Sequence, residues 1–286
     1  NYYNIIVDHG EPVIFRPDTV KQLHQLAAGL PKGRHTIEIF KRTEWDRGTT
    51  FFYGFQIKGK AKVLPREASP KRKIEFYGNS ITSGYAVEDF SGRDSPDSTY
   101  TNNYKSYAAI VARHYAADYH CICKSGIGIT VSWFPLIMGE IYDKVDPLNK
   151  NSKWDFSLYR PDIVVVNLFQ NDTWLVNLPE HDMFKMRFGE KAPDDEYMID
   201  AYQDFISGIR SHYPEANIIC TLGSMDAAKE GSKWRSYVET AMVNLNDDKI
   251  YSHFMPYMPA STHPTMKHHQ EMAKSLIEFI DKNINW

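Results

Sequence analysis

The stretch "DIVVVNLF", residues 162–169, constrains this chain most, because it has almost no polar alternation. A strand of that kind is buried on both faces, which calls for a parallel sheet lying between two layers of helices. Similar short apolar runs recur: "IEFYG" (74–78), "YHCICKSG" (119–126), "DIVVVNLFQ" (162–170), "NIICTLGS" (217–224) and "KIYSHF" (249–254). Between and after them lie "YKSYAAIVARHYAA", "DEYMIDAYQDFISGIRSHYP", "SKWRSYVETAMVNL" and "TMKHHQEMAKSLIEFIDKN". In the second of these Met198, Ile199, Tyr202, Phe205, Ile206 and Ile209 recur at intervals of three and four, the single apolar stripe of an amphipathic helix. Residues 69–286 therefore read as a three-layer α/β/α domain.

The first 68 residues read differently. "NIIVD", "PVIFRP", "HTIEIFKR", "TTFFYGFQIKG" and "AKVL" have strand character. In the fourth, Phe51, Tyr53, Phe55 and Ile57 fall on one face, as in a half-buried antiparallel strand. No helix there is longer than the candidate "DTVKQLHQLAAGL". A small β-sandwich over residues 1–68 is expected, followed by the proline-rich, charged linker "PREASPKRK" and a boundary near residue 68.

Composition narrows the function. No run approaches the roughly 20 apolar residues that span a bilayer, so no membrane partner is expected. A formal net charge of -3 without a long basic block argues against nucleic acid. The 3 cysteines cannot form a disulfide framework; Cys121 and Cys123 point the same way from one strand and read as buried free thiols. The chain opens at Asn1 with no apolar leader, so any targeting segment is expected to have been removed or never built.

In open parallel sheets, ligands bind outside the carboxyl ends of the strands. Here those ends deliver Gly78-Asn79-Ser80, Ser125-Gly126-Ile127-Gly128 and Phe169-Gln170-Asn171-Asp172. A serine after glycine and before a helix is, taken alone, an ordinary helix cap. Taken with the other two ends, Ser80 is a candidate nucleophile for ester hydrolysis. The N–H groups of Ser80 and Gly126 and the Asn171 amide would then surround the oxyanion. The base is sought among 11 histidines. His263 is preferred because it lies in the loop before the last helix, with Pro264 as a helix-start signal. His268 and His269 read as a solvated helix face, and their spacing matches no common metal-ligand pattern; no metal or cofactor is expected.

These residues resemble the conserved blocks of SGNH hydrolases: Gly78-Asn79-Ser80-Ile81-Thr82 the first, Gly126 the second, "FQND" with Asn171 the third, His263-Pro264 the last. With "LPKGRHTIEIFKRTEWDRG", "TNNYKSYAAIVARHYAADYH", "KSGIGI", "YRPDIVVVNLFQND" and "THPTMKHHQEMAKSLIEFI", the whole chain resembles the family two carbohydrate esterases. The resemblance implies a flavodoxin-like SGNH domain behind a jelly-roll-like β-sandwich. It also implies removal of acetyl groups from plant polysaccharide such as xylan or mannan, and secretion or a periplasmic location. Two positions depart from the pattern. Asn79 stands where the family has Asp, and Ala260 and Ser261 stand where an Asp precedes the histidine. A Ser80–His263 dyad is therefore expected, with a backbone carbonyl orienting the imidazole or a remote acid supplied from elsewhere in the chain. Trp133 and Trp174, each following a strand-end block, are candidate sugar platforms, although Trp133 fits the core equally well. The polar loop "EDFSGRDSPDSTYTNN" is expected to border the site. Two rival readings remain: an SGNH esterase or thioesterase acting on another acyl group, and an inactive carbohydrate-binding homologue.

Overall fold

The computed structural model of the protein describes residues 1–65 and 71–286. Near the N-terminus β1 (Tyr3–Val7) lies between β2 (Val13–Phe15) and β3 (Ile37–Lys41) in one antiparallel sheet. Its central strand buries Asn4, Ile5 and Ile6. Among the described residues this three-stranded sheet is what represents the β-sandwich expected for residues 1–68. The stretch around Phe51–Ile57 forms no strand, and Phe51, Phe52, Tyr53, Phe55 and Ile57 are exposed. Gly54, at φ +114°, interrupts the two-residue alternation there. Nor does "DTVKQLHQLAAGL" form a helix: Val20 and Leu23 are exposed, and so short an isolated helix with no buried face is marginal in water. The boundary near residue 68 and most of the linker fall outside the described residues.

The larger unit follows the expected plan. Strands β4 (Lys73–Gly78), β5 (Asp118–Cys123), β6 (Ile163–Asn167), β7 (Asn217–Leu222) and β8 (Ile250–Phe254) pair in parallel in the order β5-β4-β6-β7-β8. Helices α1 (Ser80–Ser83), α2 (Tyr107–His114), α3 (Met138–Ile141), α4 (Gln170–Leu175), α5 (Asp182–Phe188), α6 (Asp195–His212), α7 (Lys233–Leu245) and α8 (Met266–Asn283) surround the sheet. Side chains of a strand alternate between faces, and here each face has its own core. Ile74, Phe76, Ile163, Val165 and Ile219 pack with α2 and α8. Tyr77, Val164, Val166, Ile218 and Cys220 pack with α6 and α7. Each such side chain contributes about 1.5–3 kcal/mol on burial. The stripe Met198, Tyr202, Phe205, Ile206 and Ile209 is buried against the second face, with Ile199 at its margin. Short α3, α4 and α5 are additional to the helices read from sequence.

The chain runs from β4 outward to β5, then back past β4 to β6, β7 and β8. Strand order therefore reverses between β4 and β6, and at such a switch point the diverging connections open a crevice. Gly78 and Asn167 lie opposite each other at that end of the two strands.

Candidate active site

Strand β4 ends where Gly78 meets the first turn of α1 at very short range: a Cβ at position 78 would fall 2.0 Å from Thr82 Oγ1. The next residue, not Ser80, is the helix cap. Asn79 Oδ1 accepts from the Ile81 N–H at 3.0 Å. Ser80 is thus the first residue of the helix, its side chain is spared from capping, and its Oγ lies 2.9 Å from His263 Nε2. The Asn79 amide oxygen thus caps the turn, while Asn79 Nδ2 is buried without a partner among the described residues.

Where a backbone carbonyl was expected behind His263, the structure has a carboxylate. His263 Nδ1 lies 2.7 Å from Asp94 Oδ2 and 2.9 Å from Oδ1, and the His263 backbone N–H donates to Oδ1 at 3.2 Å. An ionised carboxylate only accepts, so it assigns the proton to Nδ1 and leaves Nε2 to accept from the Ser80 hydroxyl. Partial burial pushes the Asp94 carboxyl up, but the hydrogen bond and charge of the His263 ring outweigh this and hold it below its ordinary value. Tyr85 covers the imidazole, ring centroids 4.5 Å apart.

Asp94 comes from the polar loop after α1, which is braced from two sides. Asp89 accepts from the N–H groups of Ser91 and Ser95 at 2.9 and 2.7 Å, closing the turn that carries Asp94. Arg42, buried at the end of β3, donates to Glu88 Oε2, to the Thr99 carbonyl at 2.9 Å and to the Thr101 carbonyl at 3.3 Å. The loop is expected from sequence to border the site, but Asp94 within it is not singled out. Its only signal was a run of several acidic residues with nothing to tell them apart.

The other strand ends supply donors. Gly126 sits at φ +83°, where a Cβ would lie 3.3 Å from Trp133 Cβ. Among the described residues the backbone N–H groups of Ser80 and Gly126 donate to no protein acceptor. Asn171 Oδ1 accepts from Trp133 Nε1 at 3.0 Å, which fixes the amide's orientation because an indole nitrogen can only donate. One hydrogen of Asn171 Nδ2 goes to the Ile127 carbonyl at 2.7 Å, and the other has no protein acceptor among the described residues. The preceding Phe169 occupies the left-handed region at φ +74°, a conformation costly for an aromatic residue, and is held there by stacking on Tyr202 and packing against Trp234. Asp172 is wholly buried and accepts from the N–H groups of Ile129, Thr130 and Val131 at 3.1, 2.7 and 3.3 Å, so it ties down the turn after Gly128. Burial pushes its carboxyl up despite those bonds.

Trp133 is thus both exposed, at 44%, and bonded to Asn171. Trp174 is half-buried, donates from Nε1 to Asp226 Oδ2 at 2.9 Å and lines a cavity of about 520 Å³ with Lys229, Lys233 and Trp234. Two expectations are corrected. His269 is not on a solvated face: it is fully buried and accepts from the Tyr107 N–H at 3.1 Å through Nδ1. Cys121 and Cys123 are free but half-buried, their sulfurs 3.4 Å apart, whereas Cys220 is buried. Among the described residues no three His, Cys, Asp or Glu side chains gather as a metal-ligand set.

Residues 1–66 match the family described as carbohydrate esterase 2 N-terminal. The chain is 34% identical to the cellulase/esterase CelE of Acetivibrio thermocellus over its full length, though it spans only 34% of that relative. It is 23% identical to an acetylxylan esterase/glucomannan deacetylase of Cellvibrio japonicus, covering 100% of this chain and 77% of the relative. Among solved structures, a family two carbohydrate esterase from Clostridium thermocellum in complex with cellohexaose superposes with a TM-score of 0.84 at 34% identity, covering 99% of this chain and 85% of that one. The chain belongs to the family two carbohydrate esterases, SGNH-like carboxylic-ester hydrolases.

Proposed function

We propose that the protein removes O-acetyl groups from plant polysaccharide of the xylan or mannan type, with Ser80 as nucleophile, His263 as acid and base, and Asp94 orienting His263. The observation that carries this reading is the continuous line from carboxylate to imidazole to serine hydroxyl, with 2.7 and 2.9 Å links. Ser80 Oγ attacks the acetyl carbonyl while its proton passes to His263 Nε2, and the resulting imidazolium is paired with the Asp94 carboxylate. The oxyanion is met by the N–H groups of Ser80 and Gly126 and by the free hydrogen of Asn171 Nδ2. Collapse returns the proton from Nε2 to the departing sugar oxygen and leaves acetyl on Ser80. Water, deprotonated by His263, then attacks the acetyl carbonyl, and acetate leaves as Ser80 regains its proton.

Trp133 and Trp174 are read as the surfaces against which the sugar lies; the names of the relatives support xylan and glucomannan as the substrates to try first. A polymer of that kind is met outside the cell, which supports secretion. Among the described residues no helix is long and apolar enough to cross a membrane. The test is acetate release from acetylated xylan and acetylated glucomannan. The native protein should release acetate, and Ser80→Ala and His263→Ala should each lose about 10³-fold or more in rate. Polysaccharide binding without acetate release, unchanged by Ser80→Ala, would instead make it a binding homologue. A preference for long-chain over acetyl esters would point to another acyl substrate.

A further inference from the structure

We propose that Glu44, contributed by the N-terminal region, is a positioning residue for the oxyanion-binding Gly126. The inference rests on the hydrolase reading above. Glu44 is only 6% exposed and reaches across from the segment after β3 to the end of β5. Its Oε1 accepts from the Ser125 N–H at 2.6 Å and from the Ser125 hydroxyl; its Oε2 accepts from Lys124 Nζ at 3.1 Å. Lys124 is paired a second time, to Asp46 Oδ2 at 3.0 Å. Both residues ahead of Gly126 are therefore held by one carboxylate.

The consequence follows from covalent geometry. Capture of the Ser125 N–H sets the plane of the 124–125 peptide, and the Gly126 N–H belongs to the next peptide along. Glycine is the residue least able to hold its own backbone angles, so the direction of that N–H depends on what holds its neighbours. On the far side the Gly126 carbonyl accepts from the Trp133 N–H at 3.0 Å, and Ile127 N–H donates to the Lys124 carbonyl at 3.2 Å. Glu44 supplies the tie on the near side. Arg42, two residues earlier, holds the loop of Asp94, so neighbouring residues of one segment reach the two halves of the site.

Two conservative variants separate positioning from charge. Glu44→Asp keeps a negative charge for Lys124 but withdraws it from Ser125 by about 1.5 Å, one backbone-like bond length. Glu44→Gln gives up the charge but keeps an oxygen that accepts from Ser125. With 4-nitrophenyl acetate, positioning predicts that Gln retains kcat within about fivefold. Asp should lose about 10-fold or more with KM unchanged, a fraction of the ~10²–10³ that removal of a whole oxyanion donor costs. Inhibition by a small alkylboronic acid, whose serine adduct is tetrahedral, should weaken in Asp by the same factor as kcat falls. The inference is overturned if Asp keeps native kcat, if Gln falls as far as Asp, or if the loss lies in KM. Should the native protein and Ser80→Ala hydrolyse the ester equally slowly, the hydrolase reading fails and takes this one with it.

Discussion

Asp94 shows how a single side chain does two jobs. It sits in the left-handed region at φ +58°, a conformation Asp tolerates better than most residues, in a turn tied by Asp89. From there it bonds both the ring and the backbone of His263. An amide in its place would present an N–H as readily as an oxygen to Nδ1 and would favour the tautomer with the proton on Nε2. Asp94→Asn is expected to lower kcat on 4-nitrophenyl acetate by about 10³-fold, less than the ~10⁴ such an exchange costs on a harder amide substrate. A loss of less than fivefold would mean that another acceptor orients His263. The lowered Asp94 carboxyl contributes stability above about pH 4 that is lost as the pH falls through its folded-state value.

At the scale of elements, α8 carries a burial that the sequence pattern concealed. Its apolar positions Met272, Ala273, Leu276 and Ile280 face the core, and His269 lies on the same side, parallel to the Tyr107 ring. Burial pushes the His269 imidazole down to about 3. In the unfolded chain a histidine titrates near 6.5, so between those values only the unfolded state binds the proton. His269 therefore contributes stability fully present above about pH 6.5 and lost, by about 1.4 kcal/mol per unit, as the pH falls toward 3. His269→Gln, which keeps an acceptor for the Tyr107 N–H, should flatten urea-derived stability between pH 6.5 and 4.5 by about 2 kcal/mol. Parallel pH curves for the two proteins would refute it. The large sheet was legible chiefly from β6 and β7, near-continuous apolar runs buried on both faces. The segments 18–30 and 51–57 misled because periodicity records which residues could share a face, not whether anything covers that face.

At the scale of the molecule, the candidate site draws on segments far apart in sequence, three of them following neighbouring strands at the switch point of one sheet. Ser80 follows β4, Gly126 follows β5, Asn171 follows β6, and His263 precedes α8. Each of these was legible because a strand end or helix start gives a residue an address. Asp94, Arg42 and Glu44 were not, since a loop carboxylate and two charged residues after an N-terminal strand have no address until the chain is folded. The central claim is that Ser80 Oγ becomes acylated. It is tested most directly by mixing the protein with excess 4-nitrophenyl acetate, quenching in acid during turnover and mapping the acetyl group by peptide mass spectrometry. Acetyl on the Ser80 peptide in the native protein, and none on that peptide in Ser80→Ala, is the predicted result. Nitrophenol release by the native protein that depends on Ser80 without any acetyl at Ser80, in samples quenched from early to late turnover, would contradict it.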